Sequence, residues 1–237
     1  MQEQNIALSS VYPTEVDFDE VPDIRYFVIG FLRNNVFMFD TQDGVVVVDP
    51  SAVAEKIIDL AKEQFGKPIT HIICTHNHSD HVKGIADIKQ ATGAVVIASQ
   101  TDSPLIEDPE LVRQRIMPLH KACHVDVKVN GGDVIELGQS TWEVIATPGH
   151  TSGGICFLLT KYKGKKPTFP ILFSGDTLFA GTTGRTDFVG GSDRDMSQSM
   201  ARLATLPDNT FVLPGHYAFT TIAAERPTTI AFWTSRF

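Results

Sequence analysis

Short apolar runs alternate with polar turns along most of the chain, and the spacing inside each run separates strand from helix. Tyr26–Phe31 and Val36–Phe39 are two such runs, parted by Arg33-Asn34-Asn35, which reads as a hairpin turn. A third run, Val45–Val48, ends in Asp49-Pro50. Ile57, Ile58, Leu60 and Ala61 then recur at helical spacing between Ala54 and Phe65, with Ser51 placed to cap the helix and Gly66-Lys67-Pro68 to stop it. The β-branched run Ile69–Cys74 follows. After it come a helix around Gly84–Ile88, with Ser79 as a candidate cap, and a buried strand at Ala94–Ala98. A strand, a helix and a strand within about 30 residues make a crossover unit.

Pro104, Asp108-Pro109 and Pro118 interrupt residues 100 to 124, which read as a cover segment. From Val125 the pattern turns to alternation, with runs at 125–129, 134–137 and 142–146 around Gly131-Gly132, and predicts an antiparallel sheet. Ile155–Leu159 and Pro170–Phe173 flank the basic turn Lys161–Lys166, which reads as a solvated hairpin. A helix is expected over 192–206 and a last strand over 210–213. Residues 1–24 are polar, carry Pro13 and Pro22, and read as an N-terminal arm. No repeat, low-complexity tract or Ser/Gly linker divides residues 25–237, so one domain with two sheets and outer helices is expected.

The chain of 237 residues can bury a sizeable core. Its net charge of -8 counts against a general nucleic-acid or anionic-membrane binder. No apolar run reaches the roughly 18 residues a membrane span needs. A small-molecule substrate is expected, with no nucleic-acid or membrane partner. Cys74, Cys123 and Cys156 are too few and too scattered for a disulfide framework, which together with the absence of a signal pattern predicts a cytoplasmic protein. Cys74 reads as a buried thiol.

The candidate chemistry concentrates in Thr75–His81, where three imidazoles and a carboxylate fall within seven residues. Such donors suit Zn, Fe, Mn or Ni, and a catalytic metal takes about three protein ligands, so the stretch exceeds the needs of one ion. In an extended chain His76, His78 and Asp80 share one face, and His81 requires a turn near Ser79-Asp80. Other apolar runs also end in metal-type residues: VVVV in Asp49, WEVIATPG in His150, PILFSG in Asp176 and TFVLPG in His216. Sites in α/β architectures gather at strand ends. His71, His120 and His124 lack partners at ligand spacing and read as packed or solvated side chains.

Thr75-His76-x-His78-x-Asp80-His81, Thr147-Pro148-Gly149-His150-Thr151, Ser174-Gly175-Asp176-Thr177 and Pro214-Gly215-His216, in this order, resemble the metallo-β-lactamase superfamily. The resemblance implies an α+β fold, a four-layer αββα sandwich with the site along one open edge. It also implies that His76, His78 and His150 hold one metal and Asp80, His81 and His216 a second, with Asp176 and a hydroxide bridging them. Asp49 would orient a ligating imidazole, and Asp80 would double as a catalytic proton acceptor. The implied cofactors are two divalent ions, zinc in the first place, iron or manganese otherwise.

Within the superfamily, HTSGGICF from His150 and SGDTLFAGTTGRTDF from Ser174 resemble hydroxyacylglutathione hydrolase, or glyoxalase II, and the short single-domain hydrolases like it. This implies attack of the bridging hydroxide on a thioester or related small acyl compound, with Arg185 binding a substrate carboxylate. Asp187 stands where that family has an aromatic residue, and residues 217–237 are too short for its helical C-terminal domain. Gly184–Phe188 also resembles the persulfide dioxygenase branch, in which one iron would be held by His76, His150 and Asp176. Lactonase or β-lactamase-type hydrolysis uses the same donors, although Asp176 stands where zinc β-lactamases often have cysteine. A non-catalytic binding protein is the remaining alternative, against which the complete donor set counts.

Overall fold

A computed structural model of the chain describes residues 6–7, 21–51, 53–112 and 118–237. The expected N-terminal arm falls largely outside the described residues. Within it, β1 (Ile6–Ala7) pairs antiparallel with β2 (Ile24–Ile29), and β3 (Asn34–Asp40) and β4 (Val45–Val48) continue the antiparallel series. Three parallel additions follow: β5 (Ile69–Ile73), β6 (Val95–Ser99) and β7 (Val127–Val129). The parallel connections carry α1 (Ala54–Phe65), α2 (Ser79–Val82), α3 (Ile85–Thr92) and α4 (Ser103–Glu107).

The second sheet contains β8 (Val134–Leu137), β9 (Ser140–Ala146), β10 (Ile155–Tyr162) and β11 (Ile171–Gly175) as antiparallel neighbours. A small hairpin of β12 (Leu178–Phe179) and β13 (Thr182–Thr183) and the helix α5 (Asp193–Leu203) precede β14 (Phe211–Pro214), which lies parallel to β11. The edge strand β15 (Thr220–Thr221) leads into α6 (Ile222–Glu225), a wide π turn and α7 (Ala231–Thr234).

Strand alternation builds the layers. Val46 and Val48 of β4 face Trp142, Val144, Phe157, Leu159 and Phe173 in the core between the sheets. Val45 and Val47, one residue out of phase, pack instead with Ile57 and Ala61 of α1 and Ile85 and Ile88 of α3. In β10, Phe157 and Leu159 point inward while Cys156 and Leu158 meet Met196, Met200 and Leu203 of α5 and Trp233 of α7. The period of 2 in the strands thus feeds both faces of each sheet, and the result is the αββα sandwich. Each fully buried aromatic or aliphatic side chain contributes about 1.5–3 kcal/mol to holding the layers.

Several local expectations change. Val127–Val129 joins the first sheet as a parallel neighbour of β6, not the antiparallel sheet with β8. Val53, not Ser51, stands at the N-cap of α1, and no side chain caps it. Ser79 is the first residue of α2, whose N-cap is His78, and its hydroxyl meets His120 Nδ1 at 3.2 Å. Ser192 does cap α5, accepting from the Asp195 amide. The turn between β2 and β3 ends at Arg33, so Asn34 and Asn35 belong to β3 and are 1% and 2% exposed.

Candidate metal centre

Regular extension ends at Ile73, and the backbone of 74–78 leaves the sheet before α2 begins. The shared parity of His76, His78 and Asp80 therefore has no part in the site. His78 instead precedes α2 with φ −63° and ψ 139°, and the first turn of that helix carries Asp80 and His81 to a different side. Two donor groups result. His76, His78 and His150 form one and Asp80, His81 and His216 the other, with the ligand-type atoms of each group within 4.8 Å of one another. Ring centroids in the first group lie 4.5–5.0 Å apart, and His81 and His216 lie 5.1 Å apart.

Asp176 faces both groups. Its Oδ2 is 3.5 Å from His150 Nε2 and 3.6 Å from His216 Nε2, and its Oδ1 is 3.4 Å from His81 Nε2. Gly215 permits this approach, because a Cβ there would stand 2.6 Å from both Asp176 Oδ1 and His81 Cε1. Only a residue without a side chain fits against the carboxylate.

Four rings are fixed through Nδ1. His76 meets Thr75 Oγ1 at 3.0 Å, and since that hydroxyl donates to Asp49 Oδ2 at 2.6 Å, the imidazole N–H donates to it. His150 Nδ1 donates to the Arg185 carbonyl at 2.6 Å, His216 Nδ1 to the Leu32 carbonyl at 3.1 Å, and His81 Nδ1 to Asp49 Oδ2 at 3.0 Å. A proton held on Nδ1 leaves Nε2 as the lone-pair donor, the arrangement typical of metal-binding histidine. His76 Nε2, His150 Nε2 and Asp176 Oδ1 are buried with no hydrogen-bond partner. Orphaned acceptors this close together are costly unless a cation faces them, so the donor set fits divalent metal ions. Asp49, His76 and His81 also lie close enough to bind an ion. The carboxylate there is already taken up by the Thr75 amide, the Thr75 hydroxyl and His81.

Electrostatics separates the two groups. Burial, then the rings of His81, His78 and His150, hold His76 well below the usual imidazole range. Burial, then His150 and His81, push His78 down to about 3. In the second group burial pushes His81 down as well, but Asp80, Asp176 and the bond to Asp49 outweigh it and raise the ring well above its ordinary value. His216 is likewise raised: burial opposes the shift, and the Asp80 bond and the Asp176 charge overcome it. Asp80 is lowered, since the pull of His81, His216 and Asn34 exceeds the effect of burial.

Asn34 is a site residue that sequence reasoning assigned to a turn. Its Nδ2 donates to Asp80 Oδ2 at 2.9 Å and lies 3.3 Å from His81 Nε2 and 3.4 Å from His216 Nε2. The neighbouring Asn35 ties the hairpin to the His216 loop through the carbonyls of Pro214 and Tyr217. Asp102 was also missed. This buried carboxylate accepts from the Asn77 amide and the Thr151 hydroxyl, joining the loop of His76 and His78 to that of His150, and burial raises its pKa. A buried Asn pair beside a turn, and an Asp outside any motif, carry no periodic signal.

Both groups open into a cavity of about 760 Å³. Leu105, Leu111, Val112 and Leu119 from the expected cover segment line it, together with Phe188 and Tyr217. Arg185 reaches this cavity, but its guanidinium grips Asp187 at 2.9 and 2.7 Å and lies 4.3 Å from the Phe188 ring centre. Its carbonyl, which holds His150, is the part of Arg185 closest to the donors. His71, His120 and His124 lie outside the donor groups found among the described residues and bond to Thr70, Ile106 and Glu107 respectively. All three cysteines are free and buried, and burial raises the Cys74 thiol well above its usual range.

A sandwich with paired imidazole–carboxylate groups at one edge defines a class of metal-dependent proteins. The chain belongs to the metallo-beta-lactamase superfamily, whose family model matches residues 29–216. Among relatives it is 30% identical to "Hydroxyacylglutathione hydrolase GloC" of Haemophilus influenzae, over 84% of this chain and 92% of the relative. It is 36% identical to "Hydroxyacylglutathione hydrolase" of Rhodospirillum rubrum, over 72% of this chain and 56% of that one. Similar solved structures include BLEG-1 B3 metallo-beta-lactamase, with TM-score 0.77 and 27% identity over 89% of this chain and 99% of the other. TTHA1623 in a di-iron-bound form gives a TM-score of 0.71 and 30% identity over 89% and 98%. ETHE1 from Myxococcus xanthus gives 0.68 and 28% over 86% and 82%. No helix among the described residues is long and apolar enough to cross a membrane.

Proposed function

We propose that this chain is a metal-dependent hydrolase of thioesters or related small acyl compounds. The observation that carries the reading is the convergence of two complete donor groups on one carboxylate, Asp176, at the floor of an open cavity. His76, His78 and His150 would hold one divalent cation, Asp80, His81 and His216 a second, with Asp176 shared. Zinc suits these donors, and so do iron and manganese. When bound, such a pair supplies Lewis acidity toward an acyl oxygen and a water that ionises near neutral pH.

The chain's own residues prepare that chemistry. The Nδ1 anchors fix four rings before any ion arrives, and Asp49 sets the orientation of His81. The partners that keep Asp80 ionised make it a poor proton acceptor, which favours its role as a ligand over that of a base. The apolar wall of the cavity keeps water away from a bound acyl group. The hydrolase names of the relatives support the substrate class.

The resemblance of Gly184–Phe188 to the persulfide dioxygenase branch favours a second reading, a mononuclear-iron dioxygenase acting on a persulfide. Metal analysis of protein purified without added metal separates the two, with thioester hydrolysis and oxygen uptake on glutathione persulfide measured on the same sample. Two metals per chain with thioester turnover is the expected result. One iron with oxygen uptake would overturn it.

A further inference from the structure

Besides the shared Asp176, one more polar side chain faces the second donor group. Asp80 Oδ2, His81 Nε2 and His216 Nε2 form a nearly equilateral triangle, with separations of 3.2 Å between the imidazoles and 3.4 and 3.3 Å from Asp80 to His81 and His216. The terminal amide of Asn34 stands over it, 2.9, 3.3 and 3.4 Å from the three corners. These six distances describe a tetrahedron. Donors about 2.0–2.1 Å from one cation are themselves about 3–3.5 Å apart, so the four atoms have the spacing of neighbouring ligands, and Asp176, 3.4 and 3.6 Å from the two imidazoles, adds a fifth.

We propose that Asn34 is a further ligand of a cation held by Asp80, His81 and His216, through its amide oxygen. This rests on the two-cation reading above. As placed, the corner atom is Nδ2, whose N–H groups turn toward the electron-rich atoms of the triangle. A cation takes up those same atoms and repels an amide N–H. A half-turn of the terminal amide then exchanges nitrogen for oxygen at an unchanged position, since the two ends have the same shape.

The side chain has no easy alternative. Asn34 is 1% exposed and its backbone is fixed in β3 opposite Ile29, so leaving the corner would mean opening the hairpin. Its neighbour Asn35 holds the same strand to the His216 loop by three bonds: its amide N–H to the Gly215 carbonyl and its side chain to the carbonyls of Pro214 and Tyr217. The amide is thus as firmly positioned as the imidazoles it faces. A neutral oxygen ligand suits the same hard-to-borderline cations as the other three donors.

Zinc titration against a competing chromophoric chelator, on the full chain stripped of metal, tests the proposal without reference to turnover. The wild-type chain should take up two equivalents. Asn34→Ala should weaken one equivalent by tenfold or more and leave the other unchanged, and Asn34→Asp should tighten that same equivalent, since a carboxylate is the stronger donor. A residue that merely donates an N–H to Asp80 leaves the coordination number of the bound cation unchanged when it is removed, so in Asn34→Ala an unaltered cobalt(II) spectrum overturns the proposal. Unchanged affinities in both variants overturn it too, while two equivalents in the wild type would leave the two-cation reading standing. A wild-type chain that takes up one equivalent sinks both. The cobalt(II) visible spectrum checks the same corner: loss of a ligand in Asn34→Ala should raise the d–d intensity of one equivalent only, and an unchanged spectrum counts against ligation.

Discussion

The two donor groups touch, with the His76 and His81 rings 4.1 Å apart, yet their surroundings differ in kind. Around His76 and His78 the nearest rings are other imidazoles, and burial followed by those rings lowers both pKa values. Around His81 and His216 the neighbours are carboxylates: Asp80 and Asp176 raise both rings against the effect of burial, and the bond to Asp49 raises His81 further. The lowered imidazoles His76 and His78 leave little proton competition for a cation, whereas the raised imidazoles His81 and His216 bring more competition and the carboxylates beside them more charge neutralisation. The two groups therefore differ in chemistry: affinity in the first group is expected to fall little with acid, and in the second to fall steeply.

Removing the carboxylate common to both groups should have the largest effect. Asp176→Ala is expected to bring thioester turnover to the uncatalysed rate, and His78→Ala to do the same while removing metal from the first group alone. Metal content and circular dichroism on the same samples check this, and full activity in either variant would refute the two-cation reading. Chelation should abolish turnover reversibly and lower the thermal midpoint. A ligand at 100 times its dissociation constant adds about 2.7 kcal/mol, which in a chain of this size corresponds to a shift of about 5–10 °C. Calorimetry with and without zinc measures it.

Next in size is Asp49→Ala, which releases the His81 ring. Loss of such an orienting bond costs about 10–100-fold in metal affinity, and here it should fall most on the second group, with a smaller loss in the first through Thr75, whose hydroxyl is held by Asp49 and orients His76. The smallest effect sharpens the comparison most. In metal-free protein His78 has its folded pKa lowered to about 3, so it costs stability as pH falls below the unfolded value of about 6.5. His216 has its folded pKa raised, so its contribution is fully present below about 6.5 and is lost as pH rises through the folded value. Between pH 7 and 5, metal-free His78→Ala should therefore be less acid-sensitive than wild type and His216→Ala more so. Denaturant midpoints across that range test the sign, and parallel profiles would contradict the contrast.

Legibility in the sequence followed the range of the interactions. The strand ends that deliver Asp49, His150, Asp176 and His216 are visible because an apolar run must stop where a polar ligand starts. Thr75–His81 is visible because its donors are contiguous. The parity argument within that stretch fails, since it assumes an extended chain where the backbone leaves the sheet after Ile73 and enters a helix at Ser79. Asn34 read as a turn residue because asparagine favours turns, and its burial depends on the His216 loop, nearly the whole chain away. Arg185 read as a substrate contact from its type and place. Only the folded loop shows its charge spent on Asp187 and its carbonyl on His150.

By itself the sequence determined the period-2 strands, the crossover helices, the superfamily and the identity of seven metal-type side chains, because each is carried by local pattern or short motif. The tertiary structure alone decided the rest. It divided the donors into a group of imidazoles and a mixed imidazole–carboxylate group, anchored His81, His150 and His216 through Nδ1 on partners 32 to 184 residues away, and brought a buried amide against one group. Those are properties of distance and dielectric between segments that meet only on folding, and no one-dimensional pattern encodes them.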